Sequence, residues 1–405
     1  VKSAILRRSF FMKGDQWQQP HLISRWIGVA IAFYAFIAIG IAEAGLGVLL
    51  PSILSTYQLT PATVTLLFVS QISGYIVAAF SSSLVSSRLG LARMLLIAAS
   101  ALTTALLIYA LSPYWLIMVI AGTLLGLGIG LIDAGINTYI VQDSRSANLI
   151  GSLHAFYGIG ALLGPAVATT LLAVGMNWRQ VYLVLASVVS ILVIVLISVI
   201  LWRYQPMMAK VTPSDTSAVS NLRRSLYHPV VLLSGLLLLV YVGTEASVGN
   251  WAYTVQSVAR QTPELIAGYS VSAYWMGLTI GRFSLSYALN RLGAVRTISL
   301  SLILLMISLV AWWLLPDQWI SLPLIGFALA AIFPATIWLI PQRVPEALVP
   351  AAVGFATSTA SFGAALIPTG VGWLANWAGL DIIPMLMLLP AIVMIGVHCW
   401  LVQHR

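Results

Sequence analysis

Residues 83–93 read S-L-V-S-S-R-L-G-L-A-R, and residues 286–296 read S-Y-A-L-N-R-L-G-A-V-R. Ser, Arg, Leu, Gly and Arg coincide at one offset, 203 residues. The register holds well beyond this stretch. Gly74 matches Gly277, Phe80 matches Phe283, Gly160-Ala161 matches Gly363-Ala364, and Pro165 matches Pro368. Near the start of each half, Glu43-Ala-Gly-Leu-Gly47 answers Glu245-Ala-Ser-Val-Gly249 at an offset of 202. One match is chance; so many in register indicate a duplicated unit.

The unit is a membrane one. Of 405 residues, 60% are hydrophobic and 7% charged, against about a quarter charged in soluble domains. Apolar runs of roughly 20 residues recur along the chain, each able to cross about 30 Å of hydrocarbon. The short alternating segments of a closed barrel are missing. Twelve helical spans are expected at 26–51, 61–87, 91–111, 114–141, 147–174, 179–202, 229–256, 264–289, 294–315, 319–341, 348–376 and 381–402. A polar, Ser/Thr/Pro-containing stretch at 203–228 divides them. The expected plan is an all-α membrane protein with a basic segment 1–25, a six-helix bundle 26–202, a linker 203–228, a second six-helix bundle 229–402 and a tail 403–405. Such parallel repeats are the plan of many secondary transporters.

The net charge of +9 raises the question of nucleic acid, and the distribution answers it. With the N-terminus inside, 17 of the 19 Lys and Arg fall on inner segments, Arg282 counted with Arg291 and Arg296. Arg179 and Arg260 fall outside. The positive-inside rule then places both termini in the cytoplasm. The basic excess is a topology signal, and the partners are the bilayer and a small solute rather than nucleic acid. The lone Cys399 and five scattered His offer neither a disulfide framework nor a metal-spaced cluster. No enzyme, metal or cofactor is expected. The run following residue 25 is too long for a cleaved signal peptide.

Over nearly its whole length the chain resembles the major facilitator superfamily. The family's loop between helices 2 and 3 is G-x-x-x-D-R-x-G-R-R; Arg88 and Gly90 match it, as do Arg291 and Gly293 in the second half. Ser87 and Asn290 stand in place of the Asp. The resemblance implies that these loops gate the conformational change. Gly130-Leu-Ile-Asp-Ala-Gly-Ile-Asn137, His154-Ala-Phe-Tyr-Gly-Ile-Gly-Ala-Leu-Leu-Gly-Pro165 and Tyr241-Val-Gly-Thr-Glu-Ala-Ser-Val-Gly-Asn-Trp251 are similar to the fucose and glucose permease branch. That branch moves sugars with a proton or sodium ion, and the likeness gives Asp133 and Asn137 coupling and substrate-binding roles. The branch's helix-1 acid is replaced by Gly47, with Glu43 one turn earlier. A second likeness is to drug:proton antiporters: Gly151, Gly160, Gly164 and Pro165 fit most of their helix-5 pattern, while Gly122 stands where they carry an Arg.

Charged side chains within a bilayer are costly and mark function by default. Glu43 and Glu245 lie at similar depth on helices 1 and 7, which line the cavity in the family's fold. A carboxyl group withdrawn from water holds its proton more firmly, which suits a proton carrier; a neutral, hydrogen-bonded structural Glu is the competing reading. Asp133 and Asn137 are four apart and share a helix face. His154 falls at similar depth on the next helix, so an Asp133–His154 pair could pass a proton, or clamp two helices together. Gln71, Asn137 and Asn250 offer hydrogen bonds to a hydroxylated solute. Trp251, Tyr274, Trp275 and Trp338 offer stacking faces, with core packing the commoner fate of such rings.

The expected function is alternating-access, cation-coupled uptake of a sugar or similar polar solute. The proton is the first candidate for coupling ion and sodium the second; the alternative is proton-coupled efflux of amphipathic compounds. A functional monomer in a bacterial cytoplasmic membrane is expected.

Overall fold

Proline and glycine punctuate helices that the apolar sequence otherwise runs without pause. Pro51 lacks an N–H and crowds the carbonyl four residues back; the first helix breaks just before that point, at Gly45, between segments Leu22–Ala44 and Leu46–Tyr57. Pro334 acts likewise on the tenth helix, which is interrupted at Ala330–Ala331. The computed structural model describes residues 22–141, 146–208, 224, 227–316 and 319–403. The basic segment 1–21, Arg145, most of the linker and the last two residues lie outside the described residues.

Eleven helices among the described residues are long and apolar enough to cross a membrane. They are α1 (Trp26–Tyr57), α2 (Pro61–Leu89), α3 (Leu91–Leu111), α4 (Trp115–Ile140), α5 (Gly151–Ala173), α6 (Trp178–Leu201), α7 (Pro229–Ala259), α9 (Ala294–Leu314), α10 (Ser321–Gln342), α11 (Glu346–Ala378) and α12 (Leu380–Gln403). The twelfth, α8 (Glu264–Leu292), is long enough but more polar. No strand occurs among the described residues.

Packing repeats with the sequence. In the first half α1 lies on α5 and α6, α2 on α4, and α3 on α4 and α6. In the second half α7 lies on α11 and α12, α8 on α10, and α9 on α10 and α12. The halves meet through α5–α8, α2–α11 and α1–α7, a set that maps onto itself when the halves are exchanged. The loops quoted at the outset fold alike: Gly90 (φ 82°, ψ 160°) and Gly293 (φ 76°, ψ 157°) adopt the same left-handed turn, which a side chain would strain.

One end of the molecule carries the start of α1, the end of α12 and most arginines; it is called the basic end below. At the opposite end the halves are pressed together. A Cβ built on Gly47 would lie 2.3 Å from the Gly249 carbonyl oxygen, so only glycine lets α1 and α7 cross there. The rings of Phe68 and Trp251 meet edge to face at 6.1 Å, and the Thr170 and Tyr269 hydroxyls bond at 2.9 Å. The α1–α7 contact uses the Leu46–Tyr57 segment, not the basic-end half of α1. The space between the halves therefore opens toward the basic end.

Two arginines lie at the opposite end, and both are engaged. Arg179 donates to the Ser112 carbonyl at 3.1 Å, and Arg260 donates to those of Leu315 (3.2 Å) and Trp312. These carbonyls close the C-termini of α3 and α9, where a cation is favoured.

Candidate functional site

A central cavity of about 70 Å³ sits between α1, α2, α4, α7 and α11, lined by Glu43, Gln71, Tyr75 and Asn250 among mostly apolar neighbours. Glu43 lies two residues from the break in α1 and is solvent-accessible inside the cavity. Its Oε2 accepts a hydrogen bond from the Tyr157 hydroxyl of α5 at 2.9 Å. No cation pairs with it among the described residues. Gln71 donates a long bond (3.4 Å) to the Tyr109 hydroxyl and otherwise faces the cavity with Asn250.

Asp133 forms a second station on the same wall. Its Oδ2 accepts from the Tyr75 hydroxyl at 2.7 Å and its Oδ1 from Asn137 Nδ2 at 2.8 Å. The shared face expected for Asp133 and Asn137 is thus present. The Asp133–His154 pair is not: no hydrogen bond joins them. The His154 ring instead meets Phe36 edge-on at 5.9 Å and is exposed. Asn137 is held against Asp133 rather than presented to a solute.

Glu245 faces the first half from α7, but in other company. Tyr241, one turn earlier, donates to its Oε2. Arg282 of α8 donates to its Oε1 at 3.5 Å, and both side chains are largely buried, 20% and 13% exposed. Arg282 was counted in the sequence with the basic end. It lies about three turns inside α8, where its charge is matched by Glu245 instead of by water or lipid headgroups. It is the site residue that sequence reading missed. Its position inside the span 264–289 was the available signal.

The aromatic candidates separate. Trp251 is fully buried, its Nε1 donating to the Pro368 carbonyl at 3.1 Å, and it wedges the halves together at the opposite end. Tyr274 is fully buried and donates to the Glu245 carbonyl at 3.0 Å. Trp275 is buried against Gly249. These three are packing groups. Trp338 is 59% exposed and lies far from the centre, at the basic end of the second half. Of the loop residues expected to gate, Arg291 rests 5.8 Å from the Tyr287 ring centroid, on the basic end with Arg88.

Residues 32–368 match the model of the Major Facilitator Superfamily. The chain belongs to this family of membrane transporters. It is 24% identical to Bypass of stop codon protein 6 of Saccharomyces cerevisiae, with 87% of this chain and 77% of that protein aligned. It is also 24% identical to the glucose/mannose transporter GlcP of Bacillus subtilis, covering 86% of this chain and 88% of that one. Among solved structures it superposes on FucP in the outward conformation (TM-score 0.61, 14% identity, 94% and 99% covered). It also superposes on the nucleoside transporter NupG (0.74, 15%, 94% and 99%) and on an inward-facing, occupied bacterial homolog of the human lysosomal transporter Spinster (0.73, 12%, 94% and 96%). The fold is thus that of membrane transporters, not of enzymes.

Of the helix-5 glycines shared with drug:proton antiporters, Gly160 and Gly164 pack closely on α1. A Cβ on Gly160 would lie 2.3 Å from the Ile37 carbonyl oxygen of α1, and one on Gly363 would lie 1.9 Å from that of Leu239 on α7. Both halves use this glycine for close helix approach, whereas a Cβ on Gly151 would meet nothing within 4 Å.

Proposed function

We propose that the protein is a proton-coupled, alternating-access carrier for uptake of a sugar or similarly hydroxylated solute. The observation that carries this reading is the central cavity: a carboxylate without a cation, Glu43, beside the amides of Gln71 and Asn250 and the Tyr75 hydroxyl. Amides and hydroxyls lining a cavity match the donors and acceptors of a polyol, and an analogue lacking them leaves those groups unpaired. In this reading Glu43, the ionisable group that lines the cavity, carries the proton. The GlcP relative supports the solute class.

In this reading both termini face the cytoplasm. Arg88, Arg93, Arg203, Arg224, Arg291, Arg296 and Arg343 share the basic end, as the positive-inside rule asks. The described state is then open inward. The proton binds Glu43 from outside with the solute, and the two leave together on the inner side. Asp133 and His154 lie on the exit route as relay groups, and Glu245 is held by Arg282 as the fixed charge of the second half.

Thermal stabilisation of the purified protein across a sugar panel and a hydrophobic-cation panel, at acidic and at neutral pH, tests this. Stabilisation by a sugar, larger at acidic pH, is expected. Stabilisation by hydrophobic cations alone, larger at neutral pH, would replace it with proton-coupled efflux.

A further inference from the structure

The two halves differ at the basic end. In the first half, the space between the start of α1, the α2–α3 loop and the end of α4 is filled by the chain that follows α6. Tyr204 packs there and accepts from the Gly28 N–H at 3.1 Å, and Met207 is wholly buried against α1 and α3. The repeat-related space of the second half holds a cavity of about 1180 Å³ between the start of α7, the α8–α9 loop and the end of α10.

Its lining is one-sided in charge among the described residues: His228, Arg296 and Arg343 face it, with Asn290 and Gln342, and none of the described lining residues is an acid. Two helix N-termini also open into it. α9 begins at Gly293-Ala294 and α7 at His228-Pro229, and neither has a side-chain cap. The first N–H groups of a helix have no partner within it and favour an anion. His228 Nδ1 is buried without a partner among the described residues. Arg296 is exposed and has neither an ion pair nor a hydrogen bond among them, while Arg343 is steadied by donating to the Leu401 carbonyl at 3.0 Å. Trp338 stands at the rim.

We propose that this cavity is a binding site for a phosphate-bearing ligand, separate from the central transport site. The phosphate sits between Arg296 and Arg343 against the α9 N-terminus, where guanidinium groups and backbone N–H groups complement its oxygens. The apolar remainder lies along Leu289, Leu339 and Trp338. Because the site joins the α8–α9 loop to the end of α10, its occupant ties α8, α9 and α10 together. Two sources share this chemistry: the headgroup of an anionic lipid, and a soluble phosphorylated metabolite.

Binding of short-chain phosphatidylglycerol, phosphatidylcholine and ATP to the purified full chain distinguishes them, read by native mass spectrometry and titrated thermal stabilisation. Arg296→Gln is the probe variant, since the exposed side chain is dispensable for folding. Arg93→Gln, its counterpart in the filled half, is the control. Arg343→Gln is the second probe. The proposal expects one molecule of phosphatidylglycerol or of ATP bound, with affinity falling roughly tenfold in Arg296→Gln and unchanged in Arg93→Gln. Phosphatidylglycerol binding names the lipid source, and ATP binding the soluble one. Equal losses in Arg296→Gln and Arg93→Gln would mean diffuse attraction to the basic end and overturn the proposal. So would unaltered binding in both Arg296→Gln and Arg343→Gln, binding of phosphatidylcholine as tight as that of phosphatidylglycerol, or no binding of any probe.

Discussion

Glu43 and Glu245 occupy repeat-related places on α1 and α7, yet the two halves surround them differently. Glu43 beside a helix break has a tyrosine donor and open cavity. Glu245 in an unbroken stretch of α7 has Tyr241 and the guanidinium of Arg282. The residue one repeat before Arg282 is Ala79, so the cation belongs to the second half alone. Duplication supplied two equivalent carboxylates, and one arginine separated their roles. Neutralising a paired carboxylate would leave its buried counter-charge bare. A carboxylate held only by a hydroxyl takes a proton without stranding a charge. Under the proposed function, Glu245 is the charge anchor and Glu43 the proton-exchanging group.

The largest expected effect tests the anchored side. Arg282→Gln leaves Glu245 as an uncompensated buried charge, which costs about 3–5 kcal/mol. Adding Glu245→Gln should restore most of that stability. Melting of the single and double variants measures it, and additive losses would show that the two residues are not a pair.

The next effect concerns the closed end, where α1 and α7 cross. Gly47→Leu places a side chain where only 2.3 Å separates a Cβ from the Gly249 carbonyl. Overpacking of this kind costs about 1–3 kcal/mol, paid only in the state described here. The population should shift toward a state open at the opposite end, seen as a longer spin-label distance between the tips of α1 and α7. An unchanged distance distribution would mean the crossing is not a closure point.

The smallest effect sharpens the free side. Tyr157→Phe removes the one hydrogen bond to the Glu43 carboxylate among the described residues and should cost about 1 kcal/mol or less, because water in the cavity replaces the hydroxyl. The solute-uptake pH profile should move while melting scarcely does. A large loss of stability with an unmoved profile would make Tyr157–Glu43 a structural clamp.

The helix count and repeat were legible because a bilayer asks for apolar length and a duplication keeps register. The loop glycines Gly90 and Gly293 could be paired by eye, and their backbone angles agree. The carboxylates were legible as charges in apolar runs. Their partners were not. Tyr157, Tyr75 and Tyr241 read as ordinary membrane aromatics, and only helix packing turns their hydroxyls onto carboxylates. Arg282 was hidden by a neighbourhood rich in Ser and Tyr that reads as a helix end. Trp251, Tyr274 and Trp275 show the reverse error: large rings suggest a stacking surface, but close-packed helices need such volume in their core.

Proton flux in proteoliposomes tests the central assignment most directly. A pH-sensitive dye inside vesicles holding wild type, Glu43→Gln or Glu245→Gln/Arg282→Gln reports proton entry on addition of the transported sugar, with counterflow of labelled sugar measured in parallel. The account predicts that Glu43→Gln abolishes sugar-driven proton entry but keeps counterflow, while the double variant retains both. Sugar-driven proton entry surviving in Glu43→Gln and lost in the double variant would contradict it, and would move the proton to the arginine-paired side.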